Sequence, residues 1–228
     1  MIRRSQPRRG AAALFHTAGR PSGSLPWREA RWCAVDLELT GLDPRRHHIV
    51  ALGAIPIEEG RVSLAGARYT LVRPSHPPKH DAVLVHKLRY ADLVDAPSVQ
   101  YAIDLLLETL TGSVPVFHTA SIERAFLTPL LARRRVRLPA AADTEVLGRL
   151  WLRDRQGEMP VGLALATLSA KLGLPVEPPH HALGDAVTTA QAFIALASHL
   201  DRRAPQTVAS LVHAGEALRG ARRLGPAR

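Results

Sequence analysis

Apolar residues are grouped along the chain in runs that predict strands. Four short runs rich in aliphatic residues predict strands at 32–39, 49–57, 61–72 and 114–118. The first run is interrupted only by Asp36 and Glu38, which is typical of a central strand covered on both faces. The second and third runs are separated by a turn that ends at Gly60, and together they predict a β-hairpin.

The later part of the chain has helical periodicity. Apolar residues recur at i, i+3 and i+4 in five predicted helices, at 101–110, 120–133, 161–172, 182–200 and 207–218. A proline-rich stretch, 74–80, predicts a loop before the first of them. Strands followed by helices indicate an α/β layout, and 228 residues with 46% hydrophobic content suffice for one domain with a sizeable core.

The net charge of +10 is concentrated near the two ends of the chain. Residues 1–30 contain six Arg and one Glu, and residues 201–228 contain six Arg and two acids. We therefore expect a disordered basic tail over 1–30, a folded domain over 31–200, and a C-terminal helix with a basic tail over 201–228. The predicted domain is nearly neutral, so bulk charge does not locate a nucleic-acid groove.

Cys33 is the only cysteine, which excludes an intramolecular disulfide and a multi-cysteine zinc site. No apolar run approaches the ~18 residues that a membrane span needs. The segment 11–15 is also too short for the apolar core of a signal peptide. We expect a cytoplasmic protein without a membrane partner.

Asp36 and Glu38 lie two residues apart in a strand, so their carboxylates project from the same face. An exposed edge strand would explain such a pair without a function, but the neighbouring residues are apolar and disfavour an edge. Two adjacent anions on a covered strand need a cation. The pair therefore predicts a metal-binding or cation-binding site.

Two further acids occupy helical positions that favour the same chemistry. Glu123 falls on the stripe of the predicted helix 120–133 that should face the core, where a metal or a nearby Arg such as Arg124 could compensate its charge, or where the side chain could instead extend to the surface. Asp185 lies in the first turn of the predicted helix 182–200, just after His180 and His181, so the histidines and Asp185 can face one cleft. Carboxylate ligands select hard cations such as Mg²⁺ or Mn²⁺.

The three acidic clusters resemble, in order and spacing, the three exonuclease motifs of the DnaQ-like, DEDDh-type 3′-to-5′ exonucleases. Residues 36–42 match the first motif, 116–127 the second and 180–186 the third. The resemblance implies an RNase H-like fold, with a mixed central sheet flanked by helices in a single domain. It extends to the exonuclease domain of the DNA polymerase III epsilon subunit.

The resemblance also implies residue roles. Asp36, Glu38, Glu123 and Asp185 would hold two divalent cations, Mg²⁺ or Mn²⁺, and His180 would be the general base, because imidazole accepts a proton near neutral pH. The product would be a 5′-mononucleotide. The terminal nucleotide would contact Leu39, Thr40, Gly41, Leu42 and His86, although His86 could equally be an ordinary loop histidine.

The chain departs from the family pattern at Glu123, where most members have Asp, and at Leu39, where Thr is common. The longer Glu123 side chain could still ligate a metal, or it could mark weakened binding. Asp143 and Thr144 resemble a recurring family dipeptide, to which we assign a helix-capping role.

Three functional hypotheses follow from these motifs. An epsilon-like exonuclease acting on DNA 3′ ends in proofreading or repair is favoured. A stand-alone 3′-to-5′ exoribonuclease fits the first motif equally well, and a non-catalytic nucleic-acid-binding module would follow if Glu123 had ended catalysis. The segment 206–211 faintly resembles a clamp-binding peptide of a replicase subunit, but it is better explained as the start of the last helix.

Overall fold

The computed structural model describes residues 10–157, 159–175 and 180–215. Its strands are β1 (Trp32–Leu39), β2 (Ile49–Glu58), β3 (Arg61–Val62), β4 (Arg68–Leu71), β5 (Val114–Phe117) and β6 (Ala142–Asp143). They form one sheet in the order β3-β2-β1-β5-β6, and β4 also pairs with β2. The β1–β2 pairing is antiparallel, whereas β1–β5 and β5–β6 are parallel. The predicted mixed central sheet is confirmed.

Helices cover both faces of the sheet. They are α1 (Ala11–Thr17), α2 (His80–His86), α3 (Tyr90–Leu93), α4 (Val99–Leu110), α5 (Ala120–Ala132), α6 (Thr144–Gln156), α7 (Leu165–Leu172), α8 (Ala182–Asp201) and α9 (Val208–Val212). Helices α6, α7, α8 and α9 contribute to one apolar cluster, and α1, α4 and α5 to the other. None of the described helices is both long enough and apolar enough to cross a bilayer.

Alternate residues of β1 belong to the two different clusters. Trp32 and Ala34 pack in the cluster that contains α8, whereas Cys33, Val35 and Leu37 pack in the cluster that contains α4 and α5. Continuing this alternation places Asp36 and Glu38 on the face covered by α8. The strand is therefore central, and the edge-strand alternative for the two acids is excluded.

The predicted disordered tail over 1–30 is wrong from residue 10 onward, whereas residues 1–9 lie outside the described part. Ala11 and Phe15 of α1 are buried, and Trp27 is 1% exposed. The indole Nε1 of Trp32 donates to the Trp27 carbonyl at 2.8 Å. These apolar side chains make the segment part of the core despite its excess of arginine.

The C-terminal segment is also part of the fold. Val208 and Leu211 of α9 are buried, and the Val208 amide donates to the Leu25 carbonyl at 3.0 Å. The folded unit thus extends beyond the predicted 31–200 at both ends. The helix predicted over 207–218 ends at Val212, and residues 216–228 lie outside the described part.

Three other predicted elements differ from the structure. The strand predicted over 61–72 is split into β3 and β4 by a 3-10 turn, Leu64–Gly66. The helix predicted over 161–172 begins only at Leu165. The predicted loop 74–80 leads directly into α2 at His80.

Candidate active site

Three carboxylates meet where β1 passes under the first turn of α8. Asp36, Glu38 and Asp185 each offer an oxygen, and these oxygens all lie within 4.8 Å of one another. Asp36 and Glu38 reach this point because they alternate along one face of β1, and Asp185 reaches it from the start of α8. The geometry is that of a carboxylate metal site.

Gly53 allows α8 to approach the sheet closely enough for this contact. It lies opposite Asp36 in the antiparallel β1–β2 ladder. A Cβ atom at Gly53 would lie 2.3 Å from the carbonyl carbon and oxygen of Ala182, a distance that no side chain tolerates. The absent side chain thus lets the backbone of α8 rest on β2 beside Asp36.

The two adjacent histidines have different positions and contacts. His180 adopts a left-handed backbone conformation with φ of 70°, and its amide donates to the Asp185 carboxylate at 2.8 Å. His181 caps α8 by accepting from the Gly184 amide at 3.3 Å, and its ring stacks on Tyr69 with centroids 4.7 Å apart. His181 therefore has a structural role, while His180 lines the active-site cavity described below.

Glu123 is 5% exposed in the first turn of α5. Its Oε2 atom is buried and has no hydrogen-bond partner among the described residues. The alternative in which Arg124 neutralises it is wrong, because the Arg124 guanidinium donates to the Pro139 carbonyl at 3.1 Å. The prediction that Glu123 lies on the buried side of this helix is confirmed.

Asp143 positions the start of the helix that carries Glu123. Its carboxylate accepts from the amides of Thr119 at 3.2 Å and Ala120 at 2.9 Å, at the start of α5. It also accepts from the Glu145 amide at 2.9 Å, which confirms the predicted cap of α6. One carboxylate therefore ties two helix N-termini together, a link that the dipeptide alone did not reveal.

The electrostatics of the cluster favour a bound cation. Burial, followed by the charges of Asp185, Glu123 and Glu38, raises the pKa of Asp36 well above its usual range. Burial and the nearby Asp185 raise the pKa of Glu38 to about 7. Burial raises the pKa of Glu123 to about 8, and it raises the pKa of Asp185 as well, although the His180 amide opposes the latter shift.

Within the described part of the chain, none of these four carboxylates forms a salt bridge with Lys or Arg. The buried Oε1 of Glu38 also lacks a hydrogen-bond partner there. The oxygens of Asp36, Glu38 and Asp185 lie at short mutual distances and form a donor set that a divalent cation would satisfy, and Glu123 lines the same cavity. The residues present therefore fit a metal centre.

A cavity of about 590 Å³ opens at the cluster. The predicted site residues that line it are Asp36, Glu38, Leu39, Thr40, Gly41, Leu42, His86, Glu123 and His180. Asp185 joins them through its contact with Asp36 and Glu38. Nine of the ten predicted site residues thus line one cavity, and Asp185 lies beside it, whereas Glu123 is outside the group of three close carboxylates.

His86 and Leu42 are two cavity residues with side-chain groups that the described part of the protein leaves available. His86 is 5% exposed; its Nδ1 accepts from the Leu88 amide at 3.0 Å, while its buried Nε2 has no partner among the described residues. Burial lowers the pKa of His86. Leu42 is 72% exposed at the cavity rim. The substrate-binding roles of both remain predictions.

Sequence reasoning missed His47, which also lines this cavity. Its Nδ1 accepts from the Asp43 amide at 3.0 Å, and its ring atoms lie 2.7 Å from where a Cβ of Gly41 would be. Gly41 is therefore needed for the close approach of this ring. In the sequence, Gly41 followed by the adjacent His47 and His48 was the feature that could have indicated this contact.

A mixed sheet flanked by helices, with two carboxylates on its central strand and further acids on the flanking helices, is the arrangement expected of the RNase H-like fold. The exonuclease family model (RNase_T) matches residues 33–193. The chain belongs to this family of DnaQ-like exonucleases.

Among curated relatives, the DNA polymerase III subunit epsilon-like protein of Rhodobacter capsulatus is 29% identical over 208 residues, which cover 90% of this chain and 28% of that protein. The putative bifunctional exonuclease/endonuclease protein of Mycobacterium tuberculosis is 28% identical over 212 residues, which cover 88% and 32%. The chain thus spans a third or less of these relatives' length.

The fold is also that of a solved nuclease. Exonuclease X in complex with 5′ overhanging duplex DNA superposes with a TM-score of 0.60 at 24% identity, covering 80% of this chain and 98% of that one.

Proposed function

We propose that the protein is a metal-dependent 3′-to-5′ exonuclease that releases 5′-mononucleotides from DNA ends. The observation that carries this proposal is the convergence of Asp36, Glu38 and Asp185 within 4.8 Å, beside a cavity that Glu123 and His180 also line. A non-catalytic module is disfavoured because the Oε2 atom of Glu123, which lines this cavity, has no hydrogen-bond partner among the described residues.

Asp36, Glu38, Glu123 and Asp185 would hold two divalent cations, and carboxylate donors favour Mg²⁺ or Mn²⁺. Bound there, such ions supply Lewis-acid stabilisation of the phosphodiester oxygens and lower the pKa of water. Glu38 and Asp185 are anchored by β1 and α8, two elements that pack directly on each other. The donor geometry is therefore preorganised by the core.

His180 is assigned as the general base. Its backbone is held by the hydrogen bond from its amide to Asp185, while its side chain lines the cavity and is exposed to solvent. An imidazole in this position can take a proton from a water that attacks the terminal phosphodiester and release it to bulk solvent.

Leu39, Thr40, Gly41, Leu42 and His86 would surround the terminal nucleotide. The backbone of this turn is fixed, because the Thr40 hydroxyl accepts from the His48 amide at 2.9 Å. Leu42 then offers an exposed apolar surface against which a terminal base can pack.

DNA is proposed over RNA because the Rhodobacter relative is named as epsilon-like and Exonuclease X was solved with DNA. A proofreading or repair role in the cytoplasm is part of the same proposal. A replicase or clamp contact would need a segment other than 206–211, because Thr207 caps α9 and both Val208 and Leu211 are buried.

The test is cleavage of 5′-labelled single strands of DNA and RNA with the same sequence, in Mg²⁺ and in Mn²⁺, with Asp36→Ala as the control. The proposal expects a ladder that shortens from the 3′ end, is stronger on DNA and is absent in the variant. A stronger RNA ladder would assign an exoribonuclease. Failure of the folded protein to cleave either strand would overturn the proposed function.

A further inference from the structure

A second cavity, of about 580 Å³, adjoins the active-site cavity. It lies between the β1–β2 loop, the segment after β4, the start of α4 and the outer part of α5. His47 lines both cavities, so the two spaces share a wall at the turn expected to hold the terminal nucleotide.

Three arginines line this second cavity, each from a different element. Arg45 comes from the β1–β2 loop, Arg73 from the segment after β4, and Arg133 from the end of α5. All three are exposed, and none forms a salt bridge within the described residues. By contrast, Arg134, one residue along from Arg133, is bound to the buried Asp104 at 2.8 Å.

The remaining lining brings no negative side chain to this cavity. Among the described residues, neither Asp nor Glu lines it, and His47 and His48 are part of its wall. Helix α4, of 12 residues, begins there at Val99, and the first amide groups of a helix have no partners within the helix. The Ser98 side chain caps one of them, the Tyr101 amide, at 3.3 Å. Unpaired guanidinium groups next to a helix start form a site that suits phosphate groups.

We propose that this basic cavity, lined by Arg45, Arg73 and Arg133, binds backbone phosphates of the nucleic-acid strand just beyond the terminal nucleotide. The inference rests on the proposed function, which places the 3′ end of a strand at the carboxylates. Because His47 lines both cavities, the next part of that strand would lie beside the basic cavity. Since phosphate contacts carry no sequence information, the cavity would strengthen binding of long strands without sequence preference.

The test uses Arg45→Ala, Arg73→Ala and Arg133→Ala, singly and combined, with Arg61→Ala as the control. Arg61 is also exposed and lies outside the cavity, on β3. Two substrates separate the effects: a long single-stranded DNA, and the p-nitrophenyl ester of thymidine 5′-phosphate, which carries only the phosphate that is attacked.

Each cavity variant should raise KM for the long strand roughly 3- to 10-fold, the range expected for one partly exposed charged contact, and leave kcat unchanged. The dependence of log(kcat/KM) on log salt should become shallower by about 0.7 per arginine removed. Hydrolysis of the short ester should not change, and Arg61→Ala should affect neither substrate. Equal losses on both substrates, or no loss on the long strand, would overturn the proposal.

Strand binding in EDTA is measured separately from catalysis. Fluorescence anisotropy of a labelled single strand should show a Kd that rises in the cavity variants and stays constant in Arg61→Ala. An unchanged Kd in the combined variant would refute the basic cavity as a strand site. Absence of hydrolysis by the unaltered protein, with the Kd shift present, would instead refute the proposed exonuclease activity alone.

Discussion

The substitution Glu123→Gln tests whether the ionised Glu123 carboxylate lowers the free energy of unfolding. Burial raises the pKa of Glu123 from 4.5 to about 8. One pKa unit corresponds to about 1.4 kcal/mol, so ionising this carboxyl in the folded, metal-free protein costs at most roughly 5 kcal/mol. Local relaxation and water entry reduce this figure, and we expect about 2–3 kcal/mol.

The pH dependence has a defined sign. Below about pH 4.5 Glu123 is protonated in both the folded and the unfolded chain, so its burial carries no charge penalty. Stability falls as the pH rises through the folded pKa of about 8, because the unfolded chain ionises first. Glutamine has nearly the same shape and stays neutral, so the variant escapes this loss.

The assay is urea unfolding in EDTA at about pH 4 and about pH 9. Glu123→Gln should match the unaltered protein at the lower pH and exceed its stability by about 2–3 kcal/mol at the higher pH. Glu145→Gln is the control. It makes the same change of side chain at a residue whose carboxylate has a partner, since Glu145 accepts a hydrogen bond from the Thr119 hydroxyl at 2.8 Å. A stability difference for Glu123→Gln that is the same at both pH values would show that the ionised Glu123 carboxylate does not destabilise the fold.

Three other substitutions probe the supports of the site. Asp36→Ala should remove cleavage, on the order of 10³-fold or more, while circular dichroism shows an unchanged fold. Gly53→Ala should lower the free energy of unfolding by about 1–3 kcal/mol and reduce cleavage, because its Cβ would meet Ala182 at 2.3 Å; a normal thermal midpoint would contradict this. Asp143→Asn should lower stability by about 1–2 kcal/mol in urea, since an amide cannot accept on both sides at once, and an unaffected unfolding curve would argue against the shared cap.

Local patterns predicted the parts of the site that depend on backbone periodicity. The alternation of β1 placed Asp36 and Glu38 on one face, and the helical stripe of α5 placed Glu123 on the buried side, as observed. The capping function of Asp143 followed from its position before α6. In each case one element sufficed for the inference.

Features that depend on contacts between distant segments could not be predicted. The arginine count over 1–30 concealed the buried side chains of Phe15 and Trp27. The break between β3 and β4 lies where Gly66 packs against Pro56, with room for no Cβ atom. The basic cavity likewise combines arginines from three separate elements. A net charge summed over 31–200 does not reveal it, because acids elsewhere in that range cancel these arginines.

Cleavage should depend on divalent metal bound at the carboxylate cluster. This dependence is measured by calorimetric titration with Mn²⁺ on the unaltered protein and on Asp36→Asn, beside the strand-cleavage assay. We expect saturable binding of two ions per chain, weaker binding in the variant and a parallel loss of cleavage. Cleavage that persists in EDTA, or Mn²⁺ binding that is equal in the two proteins, would contradict it.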